Sequence, residues 1–230
     1  MTFSGFQKTD LINYPSNIAA TVFVRGCNFR CPYCHNPSLV LPDEYSEEVH
    51  CEQEIFDYLE QRRSFIDGLV VTGGEPTLYP ELPEFVLKVK GMGFSVKLDT
   101  NGTNPQMIDF LVKSSLVDYV AMDIKAPLEK YHLFSVAEAD CAEKVVKTME
   151  ILRNSQVEYE FRTTCPEDIL SKEDFTEIAK MLKKNEHWFL QVFNPRVTLD
   201  PSFAKVRSYT EEELKAIANN LKKYADVSLR

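Results

Sequence analysis

The sequence lacks an excess of basic residues. Lys and Arg number 26 against 35 Asp and Glu, so the 230 residues carry a formal net charge of −9. A surface of that sign repels phosphate backbones. Nucleic acid is therefore not expected as a partner.

Membrane and export signals are also missing. The sequence has no apolar run long enough to span a bilayer, and its first residues do not combine a charged segment with an apolar one. We therefore expect a cytoplasmic protein without a membrane partner.

Low-complexity stretches, internal repeats and long linkers are absent as well. With 44% hydrophobic residues, a chain of this length can bury one substantial core. We expect a single domain over 1–230, with its core at 18–194 and a C-terminal extension at 195–230.

What the sequence does contain is a regular alternation of short apolar runs and amphipathic stretches. The predicted strands are Ile18–Arg25, Gly68–Thr72, Phe94–Thr100, Asp118–Lys125, Val157–Thr164 and His187–Phe193. The predicted helices are Glu47–Arg63, Glu81–Lys90, Pro105–Ser114, Ala139–Asn154, Lys172–Lys184 and Glu211–Tyr224, the last capped by Thr210. Strands that alternate with helices imply crossover connections and a parallel sheet.

Four of the predicted strands have one apolar and one polar face. In the third strand, Val96 and Leu98 point one way while Lys97 and Asp99 point the other. The same split sets Val120, Met122, Ile124, Val157, Tyr159, Phe161, Trp188, Leu190 and Val192 against Ala121, Asp123, Lys125, Glu158, Glu160, Arg162, Thr164 and Gln191. Helices cover both faces of a doubly wound sheet, whereas a polar face suits a barrel lumen. The sequence thus predicts an α/β fold, an incomplete (β/α)6 TIM-like barrel.

The six cysteines fall into two groups. In a chain without an export signal, thiols or metal ligands are expected rather than disulfides. Cys51 and Cys141 share helical spacing with apolar residues and are interpreted as core residues, while Cys165 ends a strand and receives no role. The other three lie within eight residues, directly after the first predicted strand, and are Cys27, Cys31 and Cys34.

Three closely spaced thiolates suit an iron–sulfur cluster or zinc. Zinc requires a fourth ligand, and His35 follows Cys34 too closely in the sequence to supply it easily. On a four-iron cluster, three thiolates leave one iron open to a further ligand. A non-catalytic iron–sulfur or zinc interaction module stays an alternative at this point.

Two further sets of residues follow predicted strands at the end where barrel enzymes place their chemistry. One is the run Gly73-Gly74-Glu75-Pro76, in which glycine lets the backbone approach a ligand closely. The other is a set of charges on the polar face, Asp99, Asp123 and Lys125. A surface salt bridge is the alternative interpretation of these charges.

The cysteine loop, with Tyr33 before its last cysteine, resembles the signature of the radical S-adenosylmethionine (SAM) superfamily, and Gly73–Pro76 resembles its second motif. The resemblance implies that the three cysteines hold a [4Fe-4S] cluster whose open iron binds the amino and carboxylate groups of SAM. An electron from a flavodoxin or a ferredoxin-type donor would then cleave SAM to methionine and a 5′-deoxyadenosyl radical, which takes a hydrogen atom from the substrate. Gly73–Pro76 would receive the methionine amino group.

The segments Leu98–Gly102 and Ala121–Lys125 are similar to those of pyruvate formate-lyase activase and its relatives. The resemblance implies that Lys125 meets the methionine carboxylate, that Asp123 helps to position SAM and that Arg162 lines the lumen. It also assigns a monovalent cation to Asp99, Thr100 and Asp123. Where some activases have a histidine after the sixth strand, contacting the ribose, this chain has Gln191 and Phe193.

Nearly the whole chain resembles the long form of anaerobic ribonucleoside-triphosphate reductase activating proteins, for example in Leu11–Pro15, Lys97–Gly102 and Tyr119–Pro127. The resemblance implies an oxidoreductase with one cluster that makes a glycyl radical on a partner, an anaerobic ribonucleotide reductase. A small-molecule radical enzyme, such as 7-carboxy-7-deazaguanine synthase, is the main alternative.

Overall fold

A single sheet forms the centre of the computed structural model, which describes residues 1–134 and 140–230. Its eight strands within these residues are β1 Phe3–Asp10, β2 Ala19–Val24, β3 Gly68–Gly73, β4 Ser95–Thr100, β5 Tyr119–Asp123, β6 Glu158–Cys165, β7 His187–Val192 and β8 Asp226–Leu229. Each strand pairs with the next along the chain, β1 antiparallel to β2 and all later pairs parallel. Among the described strands β8 does not pair with β1, so the barrel is incomplete.

Helices separate the parallel strands. They are α1 Pro37–Val40, α2 Glu52–Gln61, α3 Leu82–Gly91, α4 Pro105–Lys113, α5 Cys141–Arg153, α6 Lys172–Met181 and α7 Glu211–Leu221. Strands β2 to β7 are followed in turn by α2 to α7, which confirms the predicted (β/α)6 barrel. Thr210 caps α7 as predicted, in a reciprocal pair with Glu213. No helix in the described part of the chain combines the length and the apolar character that a membrane span requires.

The two faces of the strands differ as the alternation predicts. Val96 and Leu98 are fully buried in one cluster with side chains of the helices. On the opposite face, Asp99 of β4 and Arg162 of β6 meet across the intervening strand. Val192 lies at the end of β7 and is 40% exposed, so the burial of this strand's apolar face ends at Leu190.

Two strands were not predicted. In β1 the register shifts between Phe3 and Gly5 and again between Gln7 and Asp10, which destroys the alternation that would have marked it as a strand. Strand β8 has only four residues and gains its place through pairing with β7. Neither strand has a local sequence signal, because each forms by pairing with the outer strand of the parallel sheet, β2 or β7.

The predicted helix Glu47–Arg63 begins five residues late, at Glu52. The backbone of His50 instead pairs with Phe3 of β1, with a hydrogen bond of 2.8 Å. Cys51 is therefore an exposed residue before α2, and its interpretation as a core residue was wrong. Cys141 is buried, as expected. The predicted start of helix α5, at Ala139, lies outside the described residues.

Candidate active site

The loops that follow strands β2 to β6 enclose a cleft with a cavity volume of about 200 Å³. Its lining unites Cys27, Cys31, Tyr33, Cys34, Gly73, Gly74, Glu75, Asp99, Thr100, Asp123, Lys125 and Arg162. Three predicted site residues do not line it, namely Pro76, Gln191 and Phe193. The cleft thus brings together most residues that the sequence singled out, from five separate strand ends.

The cysteine loop presents three free thiols to the cleft. Burial raises the pKa of Cys27 to about 11 and that of Cys31 to about 12. Both thiols are therefore protonated at neutral pH until a metal displaces the protons. Within the described residues, no three His, Cys, Asp or Glu side chains form a group that would hold a single metal ion.

His35 and Phe193 support the cysteine loop from one side. The Nδ1 atom of His35 lies 3.1 Å from the carbonyl oxygen of Val197, and its ring stacks on Phe193 at a centroid distance of 5.7 Å. Phe193 is buried and also packs edge-on against Tyr33. Phe193 therefore holds the wall of the cleft in place from behind.

Glu75 joins the glycine loop to the end of β4. Its buried carboxylate accepts hydrogen bonds from the hydroxyls of Thr77 at 2.6 Å and Thr100 at 2.8 Å, and from the backbone N–H of Asn101 at 2.6 Å. Burial raises the pKa of Glu75, while these donors act in the opposite direction. The side chain is thus fully engaged within the protein, and it fixes the backbone of Gly73 and Gly74.

The glycine loop and the cysteine loop are joined backbone to backbone. Gly74 N–H donates to Val24 and Glu75 N–H donates to Gly26, each at 2.8 Å. A Cβ atom on Gly74 would lie 1.9 Å from the carbonyl oxygen of Gly26. Only glycine permits this approach.

We expect Gly74→Ala to destabilise the protein by at least about 1–3 kcal/mol, because the obstructing atoms are backbone and have no free space to enter. Gly91→Ala is the matched control, since no atom of the described part of the chain lies within 4 Å of a Cβ placed there at the end of α3. Thermal unfolding of both variants measures the difference. Equal melting temperatures would show that the two loops separate without cost.

A chain of alternating charges runs along the polar face. Arg162 bridges two carboxylates, with Nη1 3.2 Å from Asp99 and Nε 2.9 Å from Asp123. Lys97 pairs with Asp99 at one end, and Lys125 pairs with Asp123 at 2.8 Å at the other. These five side chains together carry one excess positive charge. Of the five, Lys125 is the side chain that approaches the cysteine loop.

The neighbours of the two carboxylates keep them ionised. Burial alone would raise the pKa of Asp123, but Arg162 and Lys125 outweigh burial and lower it to about 2. Arg162 and Lys97 likewise hold the pKa of Asp99 below its ordinary value against burial. Burial opposes the charge of Lys125, yet Asp123 holds its pKa well above the usual range. Lys125 is therefore a permanent cation at the cleft.

The structure does not bring the three residues of the expected cation site to one point. The hydroxyl of Thr100 points to Glu75, and Arg162 lies between Asp99 and Asp123. The monovalent cation stays a prediction.

The sequence did not reveal a buried ion pair that lies deeper in the lumen. Glu160 is fully buried, accepts a 2.6 Å hydrogen bond from the Tyr119 hydroxyl and forms a two-pronged ion pair with Arg230. The alternation in β6 already placed Glu160 on the polar face. Its partner Arg230 was out of reach, because that contact depends on the unpredicted strand β8.

A family model described as the radical SAM superfamily matches residues 21–182. The chain belongs to this superfamily. The confirmed α/β barrel and the motif residues gathered in its cleft agree with this assignment.

Two relatives place the chain more narrowly. A protein of Methanocaldococcus jannaschii with the name "putative glycyl-radical enzyme activating enzyme" is 37% identical over 97% of this chain and 92% of its own length. The pyruvate formate-lyase-activating enzyme of Listeria monocytogenes is 27% identical over 71% of each chain. Within its superfamily the chain therefore groups with activating enzymes.

Solved structures show the same fold at low identity. SuiB of Streptococcus suis, in a structure bound to S-adenosylmethionine, superposes with a TM-score of 0.69 over 90% of this chain and 48% of its own, at 14% identity. This likeness concerns the fold.

Members of the superfamily use a [4Fe-4S] cluster and SAM, and the residues in the cleft fit both. Three thiols face one space, and the permanent cation Lys125 stands beside them. Within the described residues, the Tyr33 hydroxyl is the one buried polar side-chain atom without a hydrogen-bond partner, although its residue lines the cleft. A buried donor of this kind is costly unless a ligand meets it.

Proposed function

We propose that this protein activates a glycyl-radical enzyme, and that its partner is an anaerobic ribonucleotide reductase. The observation that carries the first part is the end-to-end similarity to a relative whose name is that of an activating enzyme, combined with a cleft that collects most of the motif residues in one place. The second part rests on the segments Leu11–Pro15, Lys97–Gly102 and Tyr119–Pro127.

In this proposal Cys27, Cys31 and Cys34 hold the cluster through their thiolates, and the three ligands leave one iron free. When bound and reduced, the cluster supplies the electron that cleaves SAM into methionine and the 5′-deoxyadenosyl radical. The burial of Cys31 and Tyr33 limits the access of water to this space, which protects a reactive intermediate.

The remaining residues bind and orient SAM. Lys125 offers a fixed positive charge to the methionine carboxylate, and Asp123 holds Lys125 in place. The backbone of Gly73 and Gly74 receives the amino group, in a position that Glu75 and Pro76 fix from behind. Phe193 acts through Tyr33 and His35 rather than by direct contact.

An activase must admit a polypeptide loop to its radical, whereas a small-molecule enzyme closes its pocket against water. The incomplete barrel suits the first task, because the sheet does not close between β8 and β1 among the described strands.

The test is to incubate the reconstituted, reduced protein with SAM and the anaerobic ribonucleotide reductase of the same organism. We expect a doublet in electron paramagnetic resonance, from the hydrogen atom that remains on the radical glycine. The matched control is a reductase in which that glycine is alanine, and it should give no doublet. A flavodoxin or a ferredoxin-type protein should replace the chemical reductant.

No doublet with any glycyl-radical enzyme of the organism would contradict the proposal. If the protein instead turned over a pterin-derived small molecule without a protein partner, a function like that of 7-carboxy-7-deazaguanine synthase would be correct.

A further inference from the structure

A closed ring of side-chain hydrogen bonds lies against the first cysteine. Asn101 Nδ2 donates to Asn28 Oδ1 at 2.9 Å, Asn28 Nδ2 donates to Thr103 Oγ1 at 2.8 Å, and Thr103 Oγ1 donates to Asn101 Oδ1 at 2.6 Å. Asn28 belongs to the cysteine loop, whereas Asn101 and Thr103 follow β4. The ring therefore fixes the position of Asn101 relative to Cys27.

The ring also fixes which way the Asn101 amide points. Its Oδ1 accepts a 3.0 Å hydrogen bond from the backbone N–H of Thr103, and a backbone N–H is always a donor. The Nδ2 group must then face the other way, where it lies 3.9 Å from the sulfur of Cys27. Asn101 is only 6% exposed, and Glu75 anchors its backbone. The amide therefore holds one orientation.

Two donors thus face the sulfur of Cys27. The second is the backbone N–H of Phe29 at 3.4 Å. A hydrogen bond to a ligand sulfur strengthens as the cluster gains negative charge, so it favours the reduced form and raises the reduction potential.

We propose that Asn101, held by Asn28 and Thr103, is a positioning residue that raises the reduction potential of the cluster through the sulfur of Cys27. This inference rests on the proposed role of Cys27 as a cluster ligand. Its effect is to make the first electron transfer easier.

The test is a redox titration of the reconstituted holoprotein without SAM, followed by the electron paramagnetic resonance signal of the reduced cluster. We expect Asn101→Ala to make reduction about tenfold less favourable, which is a shift of about 59 mV to more negative potential for one electron. Asn28→Ala should shift the potential less, because it removes one hydrogen-bond partner of the Asn101 amide but keeps the amide itself.

Asn104→Ala is the matched control. Asn104 follows the same strand and caps α4, but its side chain bonds Met107 N–H and Thr77 and none of the cysteines. This variant should keep the wild-type potential even if its melting temperature falls. An unchanged potential in Asn101→Ala would overturn the inference.

A measurement on the wild type covers the case in which Asn101→Ala fails to fold. Protein labelled with 15N in its asparagine side chains should show a 15N coupling to the reduced cluster, and its absence would also overturn the inference. Cys27→Ser separates the two proposals. If this variant keeps the full cluster, the proposed ligand set is wrong. If it loses the cluster but Asn101→Ala leaves the reduction potential unchanged, only the inference about Asn101 is wrong.

Discussion

Cys27→Ala, Cys31→Ala and Cys34→Ala should each leave the anaerobically reconstituted protein without its cluster and without detectable SAM cleavage. The wild type should bind about four irons per chain, three of them through these thiolates. A cluster with only two protein ligands loses its fixed position in the cleft, and within the described residues no other cysteine lines that cleft to replace the missing one. Iron and sulfide analysis and the yield of 5′-deoxyadenosine measure the two losses.

Cys51→Ala is the matched control, because Cys51 is exposed and lies outside the cleft. It should keep the wild-type iron content and activity. Stoichiometric zinc without iron uptake in the wild type would make the zinc interaction module correct, and a single variant with four irons would remove its residue from the ligand set.

Arg162→Met should destabilise the protein by about 3–5 kcal/mol. The substitution leaves the buried carboxylates of Asp99 and Asp123 without the positive charge that they share. For a chain of this length, that loss lowers the melting temperature by roughly 10 °C. SAM binding should weaken as well, since Asp123 then draws Lys125 away from the cleft. Thermal unfolding and equilibrium binding measure these effects.

Arg207→Met is the control for this substitution. Arg207 also contacts two carboxylates, those of Glu167 and Glu213, but it is exposed to solvent. Its loss should leave the melting temperature close to that of the wild type. If the two arginine variants unfold at the same temperature, the buried charges do not depend on Arg162.

The acid dependence of stability provides a second readout for Arg162. The folded state holds the pKa of Asp123 at about 2, below the ordinary aspartate value of 3.8. The resulting stabilisation is fully present above the ordinary value and is lost as the pH falls towards 2. Arg162→Met removes the main cause of the low pKa, so the difference in stability between variant and wild type should narrow on acidification.

The barrel could be predicted from the sequence because each parallel strand has a local signal. The alternation of Val96 and Leu98 with Lys97 and Asp99 depends only on strand geometry, and the same alternation placed Arg162 in the lumen. Strand β1 and the exposed position of Cys51 have no such signal. Strand β1 depends on its antiparallel pairing with β2, and the exposed position of Cys51 follows from the pairing between Phe3 and His50.

For the site, the sequence located the residues but not their contacts. The motif Gly73–Pro76 was found, yet the full engagement of the Glu75 carboxylate within the protein depends on Thr100 and Asn101, which lie about 25 residues further along the chain. Asn101 lies in the segment Leu98–Gly102 that carries the resemblance to the activases, but the sequence assigned no role to it. Its role depends on which way an amide points, and only the three-dimensional hydrogen-bond ring decides that.

The backbone bonds from Gly74 to Val24 and from Glu75 to Gly26 make the cysteine loop and the glycine loop one mechanical unit, although almost fifty residues separate them. Exchange of segments between related proteins is constrained by this unit. A chimera with its crossover point between β2 and β3 would take the cysteine loop from one parent and the glycine loop from the other. The backbones of these two loops would then not fit each other. A chimera that takes β2 through β4 from one parent keeps the two loops, and the Glu75 anchor on β4, together.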